Sequence, residues 1–236
     1  MPDGGITGDR ETGPRCIALV GPFGSGKTTL LEAILARTGA TERQGSVDQG
    51  NTVGDGSAEA RAHTMSVEAN IAGTDYHEDR YTFIDCPGSV EFLGEADGIL
   101  AGADLAIVVA EADDSKLPAL QMTLRNLEER GLPHLLFINK IDRFQGSVRS
   151  LLKTLQPASG VPLVVRQIPI WKNGIATGFI DLALERAHIY QEHATSELIE
   201  IPSDEQAREV EARFEMLEQI ADYDDELMEQ LLEDIN

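Results

Sequence analysis

An eight-residue segment near the start of the chain, Gly21-Pro-Phe-Gly-Ser-Gly-Lys27-Thr28, has the residue types that bind phosphate groups. Its pattern, G-x-x-x-x-G-K-T, is typical of a loop whose backbone N–H groups surround the phosphates of a nucleotide. Lys27 is expected to neutralise the β- and γ-phosphates, and the hydroxyl of Thr28 is expected to ligate Mg²⁺. The chemistry indicated is therefore binding or transfer of a phosphoryl group.

Two further segments supply the groups that such a loop lacks. Asp85-Cys-Pro-Gly88 follows an apolar run, so its carboxylate is expected near the metal and the N–H of Gly88 near the terminal phosphate. Asn139-Lys-Ile-Asp142 follows another apolar run, and the carboxylate of Asp142 can accept two hydrogen bonds from a guanine edge. Phosphate, metal and base are then all accounted for, which predicts GTP or GDP with Mg²⁺ as the ligands.

A long polar segment, residues 39–66, separates the phosphate loop from the next predicted strand. Compact domains rarely contain so long a stretch without periodicity unless it is functional or disordered. Its place in the chain is that of a loop that responds to the γ-phosphate. The hydroxyls of Thr64 and Ser66 are candidates to complete the metal shell, and Ser66 is the preferred one.

The GTP-binding residues are expected to be Gly21, Gly24, Ser25, Gly26, Lys27, Thr28, Thr29, Asp85, Gly88, Asn139, Lys140 and Asp142. The expected metal ligands are Thr28, Ser66 and Asp85. The alternative of an ATP-using enzyme is disfavoured because the third segment has the hydrogen-bonding groups that suit guanine.

Strands alternate with helices up to residue 156, which predicts a mostly parallel, three-layer α/β fold. The predicted order is strand 15–20, helix 28–37 ending at Gly39, strands 66–72 and 80–85, helix 89–101, strand 104–110, helix 116–130, strand 134–139 and helix 147–156. Alternation at Val67, Ala69 and Ile71, followed by a polar turn at 74–79, predicts an antiparallel hairpin at the sheet edge.

The pattern changes after residue 170 and predicts a small α/β unit over residues 171–236. Its expected elements are a turn at 171–174, strands at 178–182 and 188–190, a helix from Ser203, and a short helix from Asp224 to about Glu233. Gln206 is spaced to close a capping box with Ser203. The apolar residues that fall on one face of the first helix are Val210, Phe214, Leu217 and Ile220.

The net charge of -22 argues against a broad basic surface that grips nucleic acid in this segment. Acidic residues concentrate towards the end of the chain, since residues 191–236 contain no lysine and only Arg208 and Arg213 as arginines. That acidic stretch is either a solvated face or a docking surface for a basic partner.

The remaining features favour a cytoplasmic protein. No apolar run approaches the length that spans a membrane, and residues 1–14 are Gly- and Asp-rich, as in a flexible tail and unlike a signal peptide. Cys16 and Cys86 have no metal-ligand spacing and are expected to be reduced thiols.

The motifs described so far, with Asp85-Cys-Pro-Gly-Ser-Val-Glu-Phe92 and Gly178-Phe-Ile-Asp-Leu182, resemble translation elongation factor G and its divergent elongation factor G-like relatives. The resemblance covers roughly residues 15–236. It implies a P-loop G domain over residues 15–170 and most of an inserted subdomain over 171–236. It also implies a monomer that hydrolyses GTP on the ribosome, with the acidic subdomain contacting the ribosomal stalk.

Three departures from the family pattern bear on catalysis. The water-positioning histidine of the family is Ser89 here, and the aspartate of its phosphate loop is Gly24. The sequence also stops at Asn236, before a further guanine-contacting loop, so a fragment of a longer protein is expected. The resemblance implies Lys27, Gly88 and Ser89 as the catalytic residues, yet these departures leave a non-catalytic guanine-nucleotide switch as an alternative.

Overall fold

The computed structural model describes residues 15–53, 69–88, 98–144, 146–192, 194–224 and 227–229. The chain divides into two compact units between Asn139 and Lys140. No helix in these described ranges is long and apolar enough to cross a membrane.

The first unit contains a five-stranded sheet in the order β2-β3-β1-β4-β5. Its strands are β1 (Arg15–Val20), β2 (Asn70–Tyr76), β3 (Asp79–Asp85), β4 (Leu105–Ala110) and β5 (His134–Ile138). The pairs β1–β3, β1–β4 and β4–β5 are parallel, while β2 runs antiparallel to β3 at the edge. Two helices of this unit are α1 (Lys27–Thr38) and α2 (Leu117–Arg130). The predicted α/β fold with an antiparallel edge hairpin is confirmed.

Helix α1 packs its apolar side on the sheet directly after the phosphate loop. Leu31 and Leu35 of the helix are 2% exposed and lie in one cluster with Leu19 and Phe83 of the strands. The helix ends at Gly39, as predicted, where the N–H of a left-handed glycine donates to the carbonyls of the last turn. Burial of this face fixes the helix start, and with it the loop, against the end of β1.

The edge hairpin differs from its prediction in position and in the face that it buries. Strand β2 extends to Tyr76, so the turn is only His77 and Glu78, whose φ values of 50° and 69° suit a two-residue hairpin. Ile71 is 69% exposed, while Ala72 and Thr74 are buried. The hydroxyl of Thr74 donates to Thr38 of α1 at 2.7 Å, so a contact with the helix sets the inward face. Val67 lies outside the described residues.

A buried glutamate ties the start of the 39–66 segment to α1. Glu32 is 1% exposed, and its two carboxylate oxygens accept hydrogen bonds from the N–H of Gly45 at 2.9 Å and of Val53 at 2.6 Å. Between these two residues the chain makes a short 3-10 helix, Val47–Gln49. The first part of the 39–66 segment is therefore fixed to the helix that follows the phosphate loop.

We expect Glu32→Gln to destabilise the protein by about 1–3 kcal/mol, because one backbone N–H then faces an amide NH₂ donor inside the protein. At roughly 2–4 °C per kcal/mol for a chain of this size, thermal unfolding followed by circular dichroism resolves the change. Glu42→Gln removes the same charge from an exposed position of the same segment and serves as the control. Equal melting of the two variants would contradict the anchoring role.

The second unit contains a four-stranded antiparallel sheet in the order β6-β7-β8-β9. Its elements are α3 (Val148–Leu155), β6 (Gln167–Lys172), β7 (Ile175–Asp181), β8 (Arg186–Ile189), β9 (Glu197–Ile199) and α4 (Gln206–Ala221). The predicted turn at 171–174 is shorter, since Trp171 and Lys172 belong to β6 and the turn is Asn173-Gly174. Strand β9 was not predicted, because its three residues give no periodic signal.

Helix α4 corrects two predictions. It begins at Gln206 with Glu205 as its N-cap and no side-chain capping bond, so the predicted capping box from Ser203 is wrong. The buried residues of the helix are Glu209, Met216 and Ala221. Of the residues predicted for the packed face, Leu217 packs against the core cluster that contains Met216, whereas Val210, Phe214 and Ile220 are at least 39% exposed. Glu209 lies on the packed side because its carboxylate forms an ion pair with Arg213. A prediction from the spacing of apolar residues does not include a buried glutamate and therefore indicated a different face. Of the short helix predicted from Asp224 to about Glu233, the structure describes Asp224, which is not helical, and residues 227–229, which are helical.

Candidate nucleotide-binding site

The phosphate loop lies between the end of β1 and the start of α1, and two of its residues have to be glycine. Gly21 has a φ of +131°, and a Cβ there would lie 2.2 Å from the carbonyl oxygen of Val109. Gly26 has a φ of +101°, and a Cβ there would lie 2.2 Å from Nδ2 of Asn139. These close approaches pack the loop against β4 and against the third motif. Ser25 is fully buried, while Gly24 and Thr29 are exposed.

Lys27 is the buried cation of the loop. Its side chain is 7% exposed, and Nζ donates to the carbonyls of Gly21 at 3.0 Å and Pro22 at 3.2 Å. Burial lowers the pKa of Lys27, and the negative charge of Asp85 partly opposes that shift. A Cβ on Gly88 would lie 2.4 Å from Nζ, so the glycine of the second motif directly faces this ammonium group. The first and second motifs therefore meet at Lys27.

Thr28 and Asp85 form the oxygen-rich part of the site. The Thr28 hydroxyl donates to Oδ2 of Asp85 at 2.6 Å, and Asp85 is fully buried at the end of β3. Within the described part of the chain, Oδ1 of Asp85 is a buried oxygen without a hydrogen-bond partner. Burial raises the pKa of Asp85, against the opposing effects of the Thr28 hydrogen bond and the charge of Lys27. A hydroxyl and an unsatisfied carboxylate oxygen fit Mg²⁺, which takes few protein oxygens beside phosphate and water.

The third motif reaches the loop through its asparagine. Nδ2 of Asn139 donates to the carbonyl of Ser25 at 2.9 Å, and its backbone N–H donates to Ala110 at 2.7 Å. Lys140, with a φ of 55°, and Asp142 follow Asn139 in the chain and belong to the second unit. Their role in guanine recognition stays a prediction.

Three residues singled out from the sequence lie outside the described residues. These are Thr64 and Ser66, the candidate metal ligands, and Ser89, the candidate water-positioning residue. The predicted helix 89–101 is described only over its last turn, where residues 98–100 are helical.

One charged residue that the motifs did not indicate is also brought to the loop. Lys116 follows the end of β4, and a Cβ on Gly24 would lie 3.7 Å from its Nζ. The only signal in the sequence was that Lys116 follows the carboxyl end of β4, which lies beside the carboxyl end of β1, where ligands of open α/β sheets bind.

We expect Asp85→Asn to weaken Mg²⁺-dependent GTP binding about tenfold or more, because the amide loses the charge that attracts the metal. The raised pKa of Asp85 sets the sign of the pH effect, since protons compete with Mg²⁺ for this carboxylate. The affinity of the wild-type chain for GTP should fall as the pH drops through that raised pKa, which lies above the usual aspartate range. The affinity of the variant should change little over the same pH range. Titrations with labelled GTP between pH 5 and 8, with and without Mg²⁺, measure both effects, and parallel pH profiles would contradict the assignment.

Comparisons with known proteins identify the family of this chain. The family described as "Elongation factor Tu GTP binding domain" matches residues 13–231. An "Elongation factor G-like protein" from Synechocystis sp. (strain ATCC 27184 / PCC 6803 / Kazusa) is 45% identical over 221 residues, covering 94% of this chain and 33% of that protein. A crystal structure from Thermus thermophilus matches with a TM-score of 0.79 and 36% identity over 93% of this chain and 33% of the other.

The chain thus spans about a third of the length of the curated relative and of the solved structure that it matches. The family is defined by a GTP-binding domain, and its G domains bind guanine nucleotide, typically with Mg²⁺. Within the first unit, hydrogen bonds join the phosphate loop to Asp85 and to Asn139. This chain belongs to the elongation factor Tu GTP-binding domain family of translational GTPases and is similar to elongation factor G-like proteins.

Proposed function

We propose that this chain is the nucleotide-binding part of an elongation factor G-like protein and binds GTP and GDP with Mg²⁺. The observation that carries the proposal is the 2.6 Å hydrogen bond between the Thr28 hydroxyl and the buried Asp85. It joins the phosphate loop to the second motif through two oxygens of the kind that ligate Mg²⁺. In this proposal residues 15–170 form the G domain and residues 171–236 the inserted subdomain.

The proposed reaction is hydrolysis of GTP to GDP and phosphate. Loop N–H groups and Lys27 hold the β- and γ-phosphates and offset the charge that develops as the γ-phosphoryl group leaves. Thr28 and Asp85, with Ser66, would hold Mg²⁺, which neutralises charge on the phosphate oxygens when bound. Gly88 presents its N–H to the γ-phosphate, and the Ser89 hydroxyl orients the water that attacks phosphorus in line with the leaving GDP oxygen.

A second candidate function is a guanine-nucleotide switch with little or no hydrolysis. It is supported by Ser89 and Gly24, since neither residue supplies a charged group beside the reacting phosphate. A group that positions water or stabilises the transition state is worth orders of magnitude in phosphoryl transfer. Binding and hydrolysis therefore need separate assays.

The partner of this proposed cytoplasmic factor is the ribosome, where it would act in translocation or a related step as a monomer. Helix α4 supports the stalk as one contact, because it exposes the apolar residues Val210, Phe214 and Ile220 together with carboxylates such as Glu218, four residues after Phe214. An acidic surface with apolar anchors suits a basic protein partner. The net charge of -22 gives no support for a nucleic-acid surface in this segment.

The experiment that tests the proposal is a fluorescence titration of the chain with labelled GDP and GTP in Mg²⁺, with unlabelled ATP and GTP as competitors. Displacement by GTP but not by ATP is expected, and equal displacement by both would overturn guanine recognition. Single-turnover GTP hydrolysis with and without ribosomes then separates the two functions. Stimulation by ribosomes supports the GTPase, and its absence favours the switch.

A further inference from the structure

The segment that follows β4 forms a turn that holds one lysine, Lys116, beside the phosphate loop. The side chain of Asp113 accepts hydrogen bonds from the N–H and the hydroxyl of Ser115, at 2.9 and 2.6 Å. The backbone N–H of Lys116 donates to the carbonyl of Asp113 at 3.0 Å. These bonds give the turn a defined shape between the sheet edge and α2, so the direction of the Lys116 side chain is set by the fold.

The ammonium group of Lys116 is fixed by an ion pair. Its Nζ contacts Oε1 of Glu111, which directly follows β4 and is 10% exposed at its side chain. Lys116 itself is 27% exposed, so the ammonium is partly sheltered and still open to a ligand. An ammonium has three donors, and one bond to Glu111 leaves the others able to turn towards a second anion.

The same ammonium faces the phosphate loop. A Cβ on Gly24 would lie 3.7 Å from Nζ of Lys116, which is an ordinary van der Waals distance. The ammonium therefore lies beside the backbone of the loop at Gly24. Its positive charge also acts on Lys27 of the loop. The pKa of Lys27 is lowered chiefly by burial, and the positive charge of Lys116 adds to that lowering. Two ammonium groups therefore approach the loop, Lys27 from inside and Lys116 across Gly24.

We propose that Lys116 is a second phosphate-binding ammonium of the nucleotide site, reaching the phosphate groups across Gly24, with Glu111 as the residue that positions it. The inference rests on the proposed function, because it concerns how the same site holds GTP. Gly24 has a φ of +69°, a backbone conformation that favours glycine, and the missing side chain leaves room between the loop and the ammonium. Lys116 also supplies positive charge at a site in a strongly acidic chain, where a polyanionic ligand otherwise meets a repulsive field.

The test compares Lys116→Met, Lys116→Gln and Lys116→Arg with the wild-type chain in titrations of labelled GTP and GDP at saturating Mg²⁺. Methionine keeps the apolar stem, glutamine keeps a donor for Glu111 without the charge, and arginine keeps the charge. Lys153→Met removes a lysine from an exposed position of α3 and is the matched control for net charge. Thermal melts of each variant report whether the fold is retained.

We expect Lys116→Met and Lys116→Gln to raise the dissociation constant of GTP about tenfold and that of GDP by less, because GDP carries one phosphate fewer. Arginine should restore GTP affinity to within about threefold of wild type, and Lys153→Met should leave both constants unchanged. A lysine that only shaped the turn would not alter the ratio of GTP to GDP affinity. If the methionine variant melts early, the glutamine variant carries the test.

Two negative results are distinguishable. Normal GTP binding by the wild-type chain with unchanged affinity in both neutral variants would overturn the role of Lys116 and leave the proposed function intact. A wild-type chain that binds neither GTP nor GDP would overturn the proposed function, and the role of Lys116 with it.

Discussion

Replacing Lys27 with methionine should remove measurable nucleotide binding, with the dissociation constants of GTP and GDP raised at least about 100-fold. Lys27 is buried between the loop carbonyls and Gly88, so its ammonium is placed to make charge-assisted hydrogen bonds to the β- and γ-phosphates. Bonds of this kind contribute about 1.5–3 kcal/mol each, and two of them correspond to at least two orders of magnitude in affinity. Titration with labelled GDP and GTP measures the loss.

The loss has to be separated from unfolding, because Lys27 lies in the interior of the loop. A melt of Lys27→Met in the absence of nucleotide provides that check, and Lys153→Met controls for the removal of one positive charge. Retained tight binding in a folded Lys27→Met variant would mean that the glycine-rich loop does not hold the phosphates.

Replacing Asp142 with asparagine should change which base the site accepts. In the proposed role the carboxylate accepts hydrogen bonds from the ring N–H and the amino group of guanine. Asparagine instead places an amide donor there, which suits xanthine, whose second oxygen replaces that amino group. Sites built around such paired hydrogen bonds discriminate by about four orders of magnitude, so a loss of at least about 100-fold for GTP is a conservative expectation. Competition between GTP and xanthosine triphosphate for a labelled nucleotide measures the change.

Asp204→Asn offers the matched control, since it removes an exposed carboxylate of the same unit. It should leave base preference as in the wild type. If Asp142→Asn also retained the preference for GTP, the third motif would be misassigned and guanine recognition would have to come from other residues.

The structural features that the sequence predicted correctly are those set by local structure. Strand β1, the glycine loop and α1 are consecutive, so the position of Lys27 and Thr28 follows from a strand, a turn and a helix start. Asp85 was predictable for a similar reason, because the end of a parallel strand next to β1 has to lie near the loop. The sequence alone was sufficient to place these residues, because the order of the strands and helices along the chain leaves few other places for them.

The predictions that were wrong depended on contacts between distant residues. The inward face of β2 carries Ala72, which lies in the core cluster, and Thr74, whose hydrogen bond to Thr38 does not register in apolar periodicity. The packed side of α4 includes Glu209 because Arg213 pairs with its carboxylate. Lys116 was missed because its approach to Gly24 depends on the turn after β4.

The chain contains a single tryptophan, Trp171, and it lies in β6 of the second unit. Its emission therefore reports the local environment of one unit, while far-UV circular dichroism averages over the backbone of both. Unfolding curves recorded by the two probes provide a test of cooperativity between the units. Coincident midpoints would show that the chain unfolds as one, and an emission change displaced from the dichroism transition would show that the two units unfold as separate bodies.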